Sequence, residues 1–117
     1  MSARGALWRV RWRVANETGV ELRLTGLAIP HGRFRAADQD LDIALRANGT
    51  AELAADVSFT ESRGTEVENA FLILTARSDG RDWRILARLR VPAGEDGAPR
   101  PLTERIDVQE VGFNGPG

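Results

Sequence analysis

Between Leu7 and Val14 the chain alternates without a break: Trp8, Val10, Trp12 and Val14 point one way, and Arg9, Arg11 and Arg13 point the other. A period of two is the signature of a strand with one buried face, because successive side chains leave a pleated backbone on opposite sides. The same pattern returns along the chain. Val20, Leu22 and Leu24 alternate after Asn16-Glu17-Thr18-Gly19, and Gly26 marks a bulge before Leu27 and Ile29. Leu41, Ile43 and Leu45 form a third run, and Ala47-Asn48-Gly49-Thr50 leads into Ala51, Leu53, Ala55, Val57 and Phe59. Asn-Gly between alternating runs is a strong hairpin signal. Ala70 to Leu74 is apolar on both faces, which predicts a central strand whose outer side is at least partly covered. Ser78-Asp79-Gly80-Arg81 opens the run Trp83 to Val91, and a last strand is expected from about Leu102 to Phe113.

No stretch keeps a 3.6-residue period, since Asn48-Gly49 interrupts the best helical window, Ala47 to Ala55. The expectation is a single all-β domain over 1–117, with its core over about 6–113. It would be an immunoglobulin-like β-sandwich of about seven antiparallel strands, or eight if Arg33-Phe34-Arg35 forms its own. The first two runs are expected to pair as a hairpin. The disulfide of antibody domains and the tyrosine corner are both missing, because the chain has no Cys and no Tyr.

Val14-Ala15-Asn16-Glu17-Thr18-Gly19-Val20-Glu21-Leu22-Arg23-Leu24, followed by the turn into Ala51 to Phe59, resembles the opening half of bacterial immunoglobulin-like accessory domains. The resemblance covers roughly half the chain and rests on hairpin chemistry. It implies an adhesive or accessory role without enzymatic activity, and it carries over no functional residues.

Composition excludes several chemistries. Without Cys there is no disulfide, thiolate catalysis or Cys-based metal site, and a net charge of -1 gives no global attraction to nucleic acid. All 16 basic residues are Arg, which points to a GC-rich, bacterial genome. The first 14 residues lack the apolar run of a signal peptide or membrane span, so a cytoplasmic protein is the simplest expectation, with a domain cut from a longer exported chain as the alternative. Asn16 and Asn48 fit the N-glycosylation pattern, but each is expected in a turn for its backbone geometry.

The one His, His31, sits in Pro30-His31-Gly32 with no Gly-x-Ser-x-Gly elbow anywhere, so no catalytic residue and no cofactor are expected. Asp38, Asp40 and Asp42 could give calcium hard oxygen ligands, though Ile43 and Gly49 stand where an EF-hand loop needs Gly and Glu. The rows Arg9-Arg11-Arg13 and Arg84-Arg88-Arg90 are expected to pair with Glu21, Glu52, Asp56, Glu104 or Asp107. Trp8, Trp12 and Trp83 are in phase with aliphatic neighbours and belong to the core.

Seven antiparallel strands alternate their connections between two ends. The short turns at Asn16–Gly19, Ala47–Thr50 and Ser78–Arg81 then share one end. The long segments Pro30–Asp40, Thr60–Glu66 and Pro92–Pro101 share the other, the recognition end of an antibody variable domain. The expected function is a protein-interaction or accessory module that uses Arg33, Phe34, Arg35 and Arg63 there. Its partner would be another protein. The alternatives are a structural subunit associating with itself through edge strands, or a calcium-dependent carbohydrate binder using the Asp triplet.

Overall fold

The computed structural model describes residues 7–111 as seven β-strands and, among those residues, no helix. The strands are β1 (Leu7–Ala15), β2 (Leu22–His31), β3 (Phe34–Leu45), β4 (Thr50–Ser58), β5 (Glu66–Ser78), β6 (Arg81–Pro92) and β7 (Leu102–Val111). No helix in these residues is long and apolar enough to cross a membrane. Ala6, the expected end of the last strand at Phe113, and the Gly-Pro-Gly tail lie outside the described residues.

All pairings are antiparallel, in the order β1-β4-β3-β2-β5-β6-β7. β1 and β7 are therefore the two edges. β3 and β4 share a single registered pair, Arg35 with Ser58, so the sheet curls sharply there and the β1–β4 ribbon departs from the other five strands. The expected β1–β2 hairpin does not form. β1 pairs with β4 along its whole length, because that register sets Trp8 by Val57, Trp12 by Leu53 and Val14 by Ala51 on the inner face. On the outer face it sets Arg9 by Asp56 and Arg13 by Glu52, and opposite charges directly across a ladder support each other. β2 instead lies between β3 and β5.

The core follows the alternation. Leu24, Ile29, Phe34, Leu45, Val57, Phe59, Val67, Leu89 and Val91 are the largest fully buried side chains. Gly26 does mark a bulge, with the register slipping between Leu24 and Gly26 against both neighbours. β5 is central, as its apolar run requires, and it turns tightly into β6 through Asp79 and Gly80, both at positive φ. That turn has the two left-handed residues of a type I′ hairpin.

β3 is longer than its pattern promises. The segment from Phe34 to Asp40 is strand, so only Gly32 and Arg33 connect β2 to β3, and the count stays at seven. Two bulges concealed it: β3 uses three residues from Ile43 to Asp40 and from Gln39 to Ala36, where β2 uses two each time. Only the second slip reverses which parity of β3 faces inward: Leu45, Ile43, Leu41 and Gln39 turn inward before it, Ala36 and Phe34 after it.

Candidate interaction surfaces

The connections gather at two ends. At one, Arg33 donates to Glu61 through Nε (3.1 Å) and Nη2 (2.6 Å), a bidentate pair between the β2–β3 turn and the β4–β5 loop. The hydrogen bonds from Arg33 hold the Glu61 carboxyl below its ordinary range despite partial burial, and Glu61 raises the Arg33 guanidinium in return. The β4–β5 and β6–β7 loops are tied by Gly64 N to Ala93 O (3.3 Å) and Ala93 N to Thr65 O (2.8 Å). An open hollow of about 780 Å³ lies between them, lined by Arg63, Gly64, Ala93, Gly94, Glu95 and Arg100.

The residues expected to make contacts here separate. Arg33, Arg35 and Arg63 are exposed, but Phe34 is 0% exposed and is removed from the contact surface. Its ring packs edge-on against Trp12 (6.5 Å between centroids) and Phe59 (6.0 Å), because Phe34 occupies an inward position of β3 and not a loop. Arg33 is already committed to Glu61, which leaves Arg35 and Arg63 as the cations of the set without an ion pair among the described residues. His31 accepts the Arg33 N–H at Nδ1 (3.0 Å), a contact within its own turn.

Asp38, Asp40 and Asp42 are exposed positions of β3, not a loop lip. Asp42 pairs with Arg23, and Asp38 and Asp40 border a shallow hollow of about 230 Å³ with Thr25, Gly26 and Thr75. Among the described residues no three side chains of His, Asp or Glu converge in a way that could hold a metal ion. The arginine rows are partly matched: Arg9 to Asp56 at 3.2 Å, and Arg88 and Arg90 to Glu104 at 3.7 and 3.8 Å.

The other end is governed by a residue that spacing alone did not single out for this role. Asn16 is 3% exposed, the one buried polar side chain among the described residues. Its Nδ2 donates to the carbonyls of Val20 (2.8 Å), Leu45 (3.0 Å) and Arg46 (3.0 Å), and its Oδ1 accepts from the Thr18 N–H (3.0 Å) and hydroxyl (2.7 Å). Asn16 is not at positive φ, so its side chain and not its backbone geometry explains it; Asn48, at φ 60°, does fit the turn expectation.

Beside this end the core lies open. β7 carries Ile106 next to Ala87 and Val108 next to Ile85 on the inner face, yet both are 60% exposed. Val20 is 56% exposed nearby. Trp12 and Val14 of the ribbon and Leu74, Ile85, Ile106 and Val108 of the larger part border an apolar cavity of about 240 Å³, with Trp83 at a neighbouring opening. Of the tryptophans, Trp8 donates to the Phe59 carbonyl (3.1 Å), and all three pack against the core while staying partly exposed. No family model, no curated protein and no solved structure matches this chain.

Proposed function

We propose that the domain is a non-enzymatic protein-interaction or accessory module, and that it takes an extended apolar segment of a partner protein into the trough along β7. The observation that carries this reading is the exposure of Ile106 and Val108 on the face that holds the buried core, next to a strand edge that no other described residue pairs with. An added strand would satisfy the backbone groups of that edge and cover both side chains. The immunoglobulin-like reading is supported by chain length and by a ribbon that shares one core with the larger part of the sheet. It differs in strand order, since β2 neighbours β3 here, where an immunoglobulin sheet sets it beside β1.

Tryptophan fluorescence gives the test, because Trp12 and Trp83 border the trough. Extended peptides of alternating apolar and polar residues are titrated into the protein, and a saturable change that disappears in Ile106→Asp/Val108→Asp, with unfolding temperature retained, supports the reading. No response from any peptide, or an equal response from the double variant, overturns it. The hollow at the charged end favours a second reading, an acidic partner held by Arg63 and Arg100; charge reversal there would abolish binding that the β7 variant leaves intact.

A further inference from the structure

The trough has two walls. Trp12 and Val14 of β1 border its apolar cavity from one side, and Ile106 and Val108 of β7 border it from the other. β1 and β7 are also the two edges of the sheet, and no ladder joins them among the described residues. Six antiparallel pairings lead from one to the other, an even number of reversals, so the two edges run in the same direction. One strand laid antiparallel to both can therefore pair with both, and it would turn the 7-stranded sheet into a closed antiparallel barrel.

Charge says what such a strand carries. Its outward neighbours on β1 are Arg9, Arg11 and Arg13, all exposed. Asp56 holds Arg9, but Arg11 has only Ala54 across the ladder. Neither Arg11 nor Arg13 has an ion pair among the described residues. The acids of β7 are already answered: Glu104 by Arg88 and Arg90, Asp107 by Arg105, and Glu110 by Arg81. Glu17, which also borders the cavity, lies off the ladder in the loop after β1. The strand on the other side of β1 shows the matching pattern. β4 sets Glu52 and Asp56 outward beside Arg13 and Arg9, and it sets Leu53, Ala55 and Val57 inward beside Trp12, Val10 and Trp8.

We propose that the occupant of the trough is an extended acidic segment of a partner protein, apolar at every second residue and Asp or Glu between, which pairs with β1 and β7 together and closes the sheet. This rests on the reading of the trough as a peptide site. The apolar residues enter the cavity beside Ile106 and Val108, and the carboxylates stand outside it next to Arg11 and Arg13.

Two peptides of about ten residues, the length of a full strand, test it, one alternating Val with Glu and the other Val with Lys. Each is titrated into the protein with tryptophan fluorescence as the readout. The Val-Glu peptide is expected to bind about ten-fold more tightly, since each exposed cross-strand pair shifts affinity a few-fold in either direction. Arg11→Glu/Arg13→Glu reverses that order with strand content unchanged, because both side chains are exposed. Closure is read from the backbone. Along an extended peptide the N–H groups of the Val residues face one edge and those of the Glu residues face the other. N-methylation of either set is therefore expected to abolish binding. Equal affinity for the two peptides, or a preference for Lys, overturns the acidic occupant while leaving an apolar peptide site. A peptide methylated on one set that binds as tightly as its parent overturns closure. Binding of neither peptide overturns this proposal together with the reading on which it rests.

Discussion

The two ends of the molecule are closed by different chemistry. At one, a single buried amide, Asn16, gathers three carbonyls from two segments, Val20 and Leu45-Arg46, together with the Thr18 hydroxyl, and no charge is involved. At the other, a buried aromatic pair, Phe34 with Phe59, lies beneath an exposed ion pair, Arg33 with Glu61. The difference teaches where stability resides. Desolvated groups have no alternative partner, so losing one leaves the rest unsatisfied or leaves a void, whereas an exposed ion pair can exchange its partner for water.

Phe34→Ala should have the largest effect, about 3–5 kcal/mol of unfolding free energy by denaturant titration, because it opens a void where three rings meet. A cost near that of a surface substitution would show that this end is held by its charges instead. Asn16→Ala should follow at about 2–3 kcal/mol, since buried carbonyls lose their donor and cannot all reach water. A loss equal to that of an exposed Asn would break the contrast between the two ends.

Glu61→Gln should act through pH more than through stability near neutrality. The folded carboxyl titrates below its unfolded counterpart, so its contribution is complete above the ordinary glutamate range and disappears as pH falls through the lower folded value. Unfolding temperature followed from about pH 7 to about pH 3 should therefore drop more steeply for the wild type than for Glu61→Gln. Parallel curves would mean that the pair does not couple to folding. Val20→Ser, at the Asn16 end, should move stability by no more than about 0.5 kcal/mol, because its side chain already faces water.

Much of this was legible in the sequence, and the failures are local. The alternation of Trp8 to Val14 and of Ala51 to Val57 located β1 and β4 without ambiguity, but nothing in either run says that they pair with each other across the 34 residues between Ala15 and Thr50. Asn-Gly at 48–49 gave the turn correctly, while the strands on either side separate at once and share a single ladder pair, Arg35 with Ser58. Phe34 looked like an exposed aromatic because bulges broke the period around it. The three aspartates looked like a loop for the same reason. Asn16 matched a turn signal and turned out to be the buried tie of one end, a role with no sequence period at all.

The sequence by itself determined the all-β class, seven strands, the central position of β5, and which side chains face inward along each uninterrupted run. These are properties of nearest neighbours, and a pleated backbone repeats them every two residues. Only the tertiary structure decided which strands pair, which end each loop joins, and where the inner face stays open beside Ile106 and Val108. Those outcomes depend on side chains far apart in the chain matching in volume and charge, and no local pattern records that match.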